Sequence, residues 1–465
     1  MRILFLADNF PPERNAQAAR VYERACYWVK WGHAVTVITS APNFPEGKVF
    51  LGYRNRWRQV ENIDGIRVVR VKTLITSNAG TTLRILDFLS YMVTAFLAGL
   101  VERQPDLIAA SSPQFFAAVG AWALSATRRL PFVLELADLW PESIVAVGAM
   151  RKSFALRWLE KLELFLYRRA VRIVTLTTAF KQNLVRRGIP DGKIDVVING
   201  VDLPRYVPRA RDAALAGSWG ILEGDFVVGY IGTHGMAHGL EGVLSTAAII
   251  DDPEVCLVFV GAGSERQKLI NEARRRTLRN VVFVPAQPKE MMPAFWSPCD
   301  VALIHLKNAP TFATVIPSKI FEAMGMGLPI LLAAPKGEAS EIVERENVGL
   351  WVPSNDPPAL ANAILLLKND RSLRSHLAAR SRTMAANHSR ERQASEVLTA
   401  LREAAAEASL GVDVPDARRT ATRSFSGAEP MTRRDAPHSR IALRARIGVE
   451  VDQAAPIAPS SGLGG

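Results

Sequence analysis

Cysteine is scarce in this sequence. Cys26, Cys256 and Cys299 are the only three among 465 residues, and they lie far apart along the chain. Structural zinc sites and disulfide-rich secreted scaffolds need cysteines at close spacing, so both classes are excluded. This usage favours a protein of a reduced, cytoplasmic compartment.

An apolar run of bilayer-spanning length without a charged residue is also missing. The longest run, residues 88–101, has about the length of a buried helix and is short for a membrane span. The first residues, MRILFLADNF, reach an aspartate too early for a signal peptide, and they predict a strand instead. We therefore expect no integral membrane segment.

Acidic side chains are outnumbered by basic ones. The chain has 57 Lys and Arg against 45 Asp and Glu, a formal net charge of +12. Such a charge suits nucleic acid, an anionic membrane surface or an anionic substrate. No zinc-ligand spacing, helix-turn-helix signature or RNP-like aromatic strand accompanies it, so nucleic acid is disfavoured as a partner.

What the sequence does contain is a repeated α/β pattern. Strand-like residues 3–7, a helical period over 19–31 and a second strand over 35–39 form a βαβ opening. This order predicts a doubly wound parallel sheet with ligands at the carboxyl ends of its strands.

Two polar loops in the first half fall at those carboxyl ends. The loop after the first strand lacks GxGxxG, which disfavours a nicotinamide dinucleotide, and its residues Pro12, Glu13 and Asn15 suggest substrate contact or a plain connection. Asp138 and Glu142 follow the strand over 132–136. Each carboxylate could bind a sugar hydroxyl, act as a base or cap a helix.

Basic residues lie beside aromatic ones in two segments of the first half. Residues 43–58 form an irregular stretch, and residues 153–170 form an amphipathic helix with a basic flank. Both suit phosphate or an anionic lipid surface, while a solvated loop and packing against the sheet are the alternatives.

The α/β pattern restarts near residue 225. The residues before it hold prolines, arginines and glycines without periodicity, which predicts an interdomain linker. The predicted organisation is a first domain (1–200), a linker (201–224), a second domain (225–388), a terminal helix (389–408) and a disordered tail (409–465).

Glycine-containing loops follow two strands of the second half and precede helices. Glycine there lets a phosphate approach the backbone, although an ordinary turn is the alternative. The candidate residues of the first loop are Gly232, Thr233, His234, Gly235 and His238, and those of the second are Gly261, Gly263 and Arg266.

The stretch TFATVIPSKIFEAMGMGLP, residues 311–329, carries a third signal. Pro317 predicts the start of a helix, and the free amides of Ser318 and Lys319 would point at an anion. Glu322 lies one turn further on and could accept hydrogen bonds from ribose hydroxyls. An ordinary Lys/Glu pair on a solvated helix is the alternative.

Taken in order, these signals resemble the GT-B glycosyltransferases of retaining family 4. The resemblance covers residues 1–406, and its motifs are the PPE-containing loop, GHAVTVIT, DLWPES, NGVD, the GxG loop with its Glu-Arg pair, and PSKIFEAMGMGLP. DLWPES together with PSKxxE resembles the subgroup that builds bacterial surface polysaccharides, including amino-sugar and fucosamine transferases.

The resemblance implies two Rossmann-like domains facing across a cleft, with the C-terminal helix packing back on the first domain. It implies donor binding by the second domain, with Glu322 at the ribose, the amides of Ser318 and Lys319 at the diphosphate, and Gly232 and Gly235 in the adjoining loop. The first domain would bind the acceptor.

The implied activity is transfer, with retention, of a sugar from a nucleotide donor to a lipid-linked saccharide in surface polysaccharide biosynthesis. UDP is the expected nucleotide, and an N-acetylamino sugar is one candidate group. We expect a cytoplasmic enzyme on the inner face of the cell membrane, with no cofactor and no metal. Retaining transfer needs no strong separate nucleophile if the leaving diphosphate takes the acceptor proton.

The sequence departs from the family pattern at several positions. Thr314 stands where many relatives have a glutamate, and Thr233 and His238 stand where arginine and lysine are usual. We therefore expect Lys319, Arg266 and His238 to share the diphosphate charge.

The first domain poses a separate problem, because it lacks the histidine that many relatives use near the sugar. Asp138 is the nearest catalytic candidate there, beside Lys319 and Glu322 in the second domain. The alternatives are a GT-B sugar-nucleotide epimerase and a basic protein that binds nucleic acid or membranes.

Overall fold

The computed structural model describes residues 1–409, except residues 14, 45, 77–80, 113 and 140–153. Within these ranges the chain forms two parallel-sheet domains and a terminal helix. The predictions for Glu142 and for most of the 409–465 tail lie outside the described residues.

The first domain is built on an eight-stranded sheet with the order β3-β4-β2-β1-β5-β6-β7-β8. All neighbouring strands are parallel except β3 and β4. The strands are β1 (Arg2–Leu6), β2 (Ala34–Ser40), β3 (Arg58–Ile63), β4 (Ile66–Val71), β5 (Leu107–Ser111), β6 (Phe132–Leu136), β7 (Arg172–Thr175) and β8 (Ile194–Val196).

Helices cover both faces of this sheet, because successive strand residues point to opposite sides and each side needs apolar cover. The helices are α1 (Ala16–Lys30), α2 (Thr81–Val101), α3 (Phe115–Arg128), α4 (Phe154–Arg169) and α5 (Thr178–Arg186). Leu4 and Leu6 face a core shared with α2, α3 and α4, whereas Ile3 and Phe5 face a core shared with α1.

The second domain repeats this architecture with six parallel strands in the order β11-β10-β9-β12-β13-β14. The strands are β9 (Phe226–Ile231), β10 (Val255–Val260), β11 (Val281–Val284), β12 (Val301–His305), β13 (Ile330–Ala333) and β14 (Gly349–Val352). The helices are α6 (Ala213–Ser218), α7 (Glu241–Ile249), α8 (Arg266–Arg275), α9 (Met292–Trp296), α10 (Lys319–Met326), α11 (Glu338–Arg345), α12 (Pro357–Asn369) and α13 (Arg371–Ala385).

The terminal helix α14 (Arg390–Ser409) returns to the first domain, as expected. The indole N–H of Trp28 on α1 donates to the carbonyl of Ala394 at 2.8 Å. Val397, Leu398 and Leu401 are buried in the core that also contains Ile3 and Phe5. The second domain is therefore held to the first by the linker and by this returning chain.

Three features differ from the sequence predictions. Helix α6 lies within the predicted linker, and its Leu215 is buried in the second domain's core. Helix α13 was not predicted. Strand β3 begins at the end of the stretch expected to be irregular, and its half-exposed polar residues left no hydrophobic pattern. Asp64 and Gly65, both at positive φ, form the two-residue turn that joins β3 to β4.

Helix α2 contains a segment, Leu83–Val101, that is long and apolar enough to cross a membrane by length and composition. The prediction from sequence considered only the shorter run 88–101, so the expected lack of such a segment is not confirmed. Helix α2 is the one such helix in the described ranges, and 22% of its apolar window is buried. The exposed apolar side chains of this helix therefore need an explanation other than core packing.

Candidate functional site

Lys319 lies at the first position of α10, and its side chain reaches back to the end of β9. Its ammonium donates to the hydroxyl of Tyr230 at 2.8 Å and lies 4.0 Å from the centre of that ring. Within the described part of the chain, Lys319 has no ion-pair partner. A positive charge at a helix N-terminus, where the free amides also point outward, is a site for an anion.

Gly232 leaves room for that lysine. Its φ is +143°, and a Cβ built there would lie 2.3 Å from Lys319 Cε and 2.8 Å from Nζ. A side chain at this position would therefore both strain the backbone and displace the lysine. Gly235 differs, because its φ is negative and the nearest contact of a Cβ would be 3.5 Å away.

Burial lowers the pKa of Lys319 from 10.5 to about 7, and the nearby Glu322 carboxylate opposes this shift. Burial raises the pKa of Glu322, against the lowering effect of Lys289 and Lys319. The buried indole N–H of Trp296 also lowers the pKa of Glu322, although it makes no regular hydrogen bond among the described residues. The two predicted ligands on α10 therefore lie in one partly buried site.

The two glycine loops pack backbone against backbone. A Cβ on Gly261 would lie 1.9 Å from the carbonyl oxygen of Gly232, and one on Gly263 would lie 2.4 Å from that of His234. Both glycines have φ of +154°. The His234 amide donates to Ala262 at 2.8 Å. This packing places the N-terminus of α8, with Arg266, beside the Lys319 loop.

The His234 side chain lies beneath these loops. It is fully buried, and neither ring nitrogen has a hydrogen-bond partner among the described residues. Its ring contacts Tyr230 and Phe259 at centroid distances of 5.8 and 6.2 Å. Burial, together with the charges of Arg266 and Lys319, lowers the pKa of His234 to about 4, so the imidazole is neutral at physiological pH.

His238 is also neutral. Burial and the nearby Lys319 lower its pKa to about 3. Its carbonyl oxygen lies 2.6 Å from Nδ1 of His305, which fixes the turn over Met236–His238. In the free enzyme the positive charge beside this loop therefore comes from Lys319 and Arg266, and charge sharing by His238 with a bound diphosphate stays a prediction.

The remaining donor-side candidates line the loop before α10. Thr314 ends a 3₁₀ turn over Pro310–Thr314, and its hydroxyl donates to the carbonyl of Thr311 at 2.8 Å. Pro317 and Ser318 lead directly into α10. Thr233 is exposed, and its carbonyl accepts a 2.8 Å hydrogen bond from Tyr230. These residues share one edge of the second sheet with Gly232 and Lys319.

In the first domain, two of the predicted acceptor residues shape the loop itself. The buried Glu13 carboxylate accepts from the amides of Asn43 and Phe44, both at 2.9 Å. The Asn15 side chain accepts from the Ala18 amide at 2.9 Å and so caps α1. Pro12 is half-buried. Acceptor contact by these three residues stays a prediction.

Asp138 lies just beyond the end of β6. It is partly exposed and lines a small cavity of about 20 Å³ with Ser112, Leu136 and Tyr167. The strand therefore delivers this carboxylate to the expected edge of the sheet, but the rest of the predicted loop lies outside the described residues.

Sequence reasoning missed two contacts between the domains. Glu23 on α1 is 8% exposed and pairs with Lys289 of the second domain at 2.5 Å and with Arg390 of α14 at 2.9 Å. On the other side of the cleft, Glu338 accepts from the amides of Thr178, at 2.9 Å, and Ala179. No local sequence pattern could predict either contact, because the partners lie 159 to 367 positions apart.

No metal site accompanies these groups in the described ranges, where no set of three or more His, Cys, Asp or Glu side chains is placed to hold an ion. The arrangement is instead one of two Rossmann-like domains that face each other across a cleft, with a lysine-bearing helix terminus and glycine loops on the second. These features match the GT-B architecture that the sequence resembles.

Family models support this assignment. Residues 15–200 match the glycosyl transferase 4-like domain, and residues 213–384 match the glycosyl transferases group 1 domain. The two matches take in most of the chain, which belongs to the glycosyltransferases with this pair of domains.

Curated relatives carry the same type of name. The chain is 25% identical to WcaI of Escherichia coli K12, named a colanic acid biosynthesis glycosyl transferase, over 70% of this chain and 82% of WcaI. It is 28% identical to a GDP-mannose-dependent alpha-mannosyltransferase of Mycobacterium tuberculosis, over 78% of this chain and 88% of that protein.

Solved structures share the fold. Sucrose-phosphate synthase of Thermosynechococcus elongatus aligns with a TM-score of 0.67 at 20% identity, covering 86% of this chain and 98% of that one. HepE of Anabaena, solved in complex with UDP-glucose, aligns with a TM-score of 0.64 at 19% identity, covering 86% of this chain and 99% of HepE.

Proposed function

We propose that this glycosyltransferase moves a sugar from a nucleoside-diphosphate donor to a saccharide acceptor in the biosynthesis of a cell-surface polysaccharide. The observation that carries the proposal is the Lys319 ammonium, which has no ion-pair partner in the described chain and lies at the N-terminus of α10 over Gly232. The names of WcaI and of the TuaH protein of Bacillus subtilis, named for teichuronic acid biosynthesis, support the polysaccharide context.

In the proposed site, the diphosphate binds at the start of α10. The amides of Ser318 and Lys319, the Lys319 ammonium and Arg266 stabilise negative charge as it develops on the leaving group. Glu322, one turn further along, accepts from the ribose hydroxyls. A diphosphate bound there would raise the pKa of Lys319, because a nearby anion favours the charged form of the amine.

UDP is the nucleotide that we propose, with an N-acetylamino sugar among the candidate groups and retention as the outcome. Structures of HepE with UDP-glucose support UDP, whereas the mannosyltransferase relatives are named for GDP-mannose, so the donor panel must contain both nucleotides. The reaction as proposed needs no metal ion, and activity should survive EDTA.

We propose a lipid-linked acceptor and docking on the inner face of the cell membrane. Leu86, Val93, Leu97 and Leu100 are all exposed and share one side of α2. On the same face of the sheet, Trp158 of α4 is 62% exposed beside the exposed Lys161. Apolar side chains flanked by basic ones suit an anionic bilayer surface.

A thermal-shift panel tests the donor. UDP-sugars should raise the melting temperature through ligand linkage, and Lys319→Ala and Glu322→Ala should each abolish the shift. Product analysis by mass spectrometry with lipid-linked acceptors then identifies the transferred group. Release of free nucleotide or an epimerised sugar without acceptor would point to the epimerase instead, and a panel without any shift would end the donor assignment.

Flotation with anionic liposomes tests the membrane proposal. The wild type should float with the vesicles, and Leu97→Glu should shift the protein to the aqueous fraction. Leu366→Glu is the matched control, because Leu366 is an exposed leucine on the second domain. A wild type that stays wholly aqueous would indicate a soluble acceptor.

A further inference from the structure

A cavity of about 290 Å³ lies between the two domains, to one side of the proposed donor site. Its walls come from α5 and the residues after β8 in the first domain, and from α11 and the turn before α10 in the second. The lining residues are Thr178, Ala179, Gln182, Ile198, Ala313, Gly337, Glu338, Glu341, Ile342 and Arg345.

We infer that this cavity is a binding subsite for the saccharide part of the acceptor. The inference rests on the proposed function, because it assigns the acceptor of that same reaction. It is carried by the position of the cavity, by the polar groups that remain available in it, and by the balance of its charges.

The position of the cavity places a bound saccharide to one side of the proposed diphosphate site and not on it. The Lys319 and Gly232 contacts lie where β9 and β12 end, whereas Gly337 and Glu338 follow β13. Two strand spacings of about 4.8 Å separate β13 from β9. Ala313 belongs to both regions, since it lines the cavity and directly precedes Thr314 of the donor loop.

The backbone segments that form the second-domain wall of the cavity are closely packed, and this packing fixes the shape of that wall. A Cβ on Gly337 would lie 2.0 Å from the carbonyl oxygen of Ala313, so this glycine lets the donor loop rest against the start of α11. A group bound in the cavity would therefore touch the loop that adjoins the proposed donor.

Two polar side chains in the lining are available for hydrogen bonding. In the described part of the chain, neither the Glu341 carboxylate nor the Gln182 side-chain amide has a hydrogen-bond or ion-pair partner, and both are exposed. Carboxylate and amide groups together accept from and donate to sugar hydroxyls. Ile198 and Ile342 add an apolar surface for the C–H face of a sugar ring.

The charges select against an anionic ligand. Two carboxylates, Glu338 and Glu341, face one guanidinium, Arg345, so the lining carries a net negative charge. The amides at the N-terminus of α5, which would attract a phosphate, are already taken by Glu338. The subsite therefore suits a neutral saccharide better than the phosphate that links an acceptor to its lipid.

Saturation-transfer NMR on the full-length protein tests this subsite directly, without donor. The probe is a panel of neutral disaccharides together with glucose-1-phosphate. Neutral members should bind the wild type, and Glu341→Gln and Gln182→Ala should each weaken binding about 10-fold through the lost hydrogen bonds. Glu344→Gln is the matched control, because Glu344 lies on the same helix but pairs with Lys336 away from the cavity.

Acceptor kinetics supply a second readout. In the transfer assay, Glu341→Gln and Gln182→Ala should raise the KM for the acceptor about 10-fold and leave the donor-induced thermal shift unchanged. The subsite is refuted if no neutral saccharide binds, if both variants bind like the wild type, or if the phosphorylated sugar is preferred. A different result would refute the proposed function, namely that no nucleotide sugar shifts the melting temperature.

Discussion

The Glu338 carboxylate of the second domain accepts a 2.9 Å hydrogen bond from the backbone amide of Thr178 in the first. A second amide, that of Ala179, donates to the same carboxylate. A side chain from one domain thus caps a helix of the other, and it compensates the positive end of that helix. The contact can exist only while the cleft is closed at this edge.

Removal of this cap should open the cleft. Glu338→Ala leaves the first amides of α5 without a partner and is expected to cost about 1 kcal/mol of closure free energy. Small-angle scattering should show a larger radius of gyration, and kcat should fall roughly 5-fold, as that energy predicts. Glu341→Ala, on the same helix without a cap role, should keep the wild-type radius. An unchanged radius in Glu338→Ala would show that other contacts hold the closed form.

The Lys319 ammonium should make nucleotide binding dependent on pH. Its pKa of about 7 means that the charge is lost as the pH rises above neutrality in the free enzyme. UDP affinity should therefore decline between pH 7 and pH 9, and Lys319→Met should bind weakly at every pH. Isothermal titration across this range checks the slope. A wild-type affinity that is constant over the range would exclude Lys319 as the titrating ligand.

The same pKa shift has a consequence for stability. The unfolded chain binds more protons than the folded one between pH 7 and the ordinary lysine pKa of 10.5, so the free energy of unfolding rises with pH there. The cost of burying the charge is fully present below about pH 7. Lys319→Met should therefore raise the melting temperature at pH 6, with a smaller gain at pH 10. Equal gains at both pH values would contradict a buried, titrating lysine.

Much of the second domain's site could be predicted from sequence because its determinants are local. Strand β9 (Phe226–Ile231), the glycine loop after it and helix α7 follow one another within a few residues. Pro317, Lys319 and Glu322 are likewise close together in the sequence. The resemblance to a family then supplied their relative placement. His234 was included as a loop residue, but its burial depends on Phe259, which belongs to another strand.

The cleft contacts could not be predicted, because they depend on how the domains face each other. Glu23 looked like an ordinary helix residue, yet its partners come from the second domain, the linker and α14. Glu13 shows the opposite difficulty. Its place in a polar loop suggested substrate contact or a plain connection, and nothing local indicated that its carboxylate accepts hydrogen bonds from the backbone of the loop after β2.

Gly232→Ala should disrupt the donor site without unfolding the protein. The added Cβ would collide with the Lys319 side chain, and the φ of +143° would cost about 1–3 kcal/mol for a residue other than glycine. We expect loss of the UDP-induced thermal shift with a native far-UV spectrum. Gly235→Ala is the matched control in the same loop and should retain the shift, since its Cβ meets only ordinary contacts. A normal UDP-induced thermal shift in Gly232→Ala would mean that the Lys319 side chain can reach the donor in a different conformation.

The ion cluster around Glu23 should hold the two domains and the returning helix together. The carboxylate is buried and contacts Lys289, Arg390 and, at 3.4 Å, Arg205. Burial alone would raise its pKa, but Arg390 and Lys289 lower the pKa below its ordinary value. Stability from these pairs is therefore present above the unfolded pKa near 4.5 and is lost as the pH falls through the lower folded value. Glu23→Gln leaves Lys289 and Arg390 without an ion-pair partner among the described residues, whereas Arg205 keeps Asp202. The substitution should cost about 3 kcal/mol at pH 7, measured by urea unfolding. The cost should shrink as the pH falls through the lowered folded pKa of Glu23, because the wild-type carboxylate then becomes protonated as well. The control is Glu396→Gln, because Glu396 pairs with Arg392 on the exposed face of α14 and should cost less than about 1 kcal/mol. Similar losses in the two variants would show that the cluster is no stronger than a surface pair.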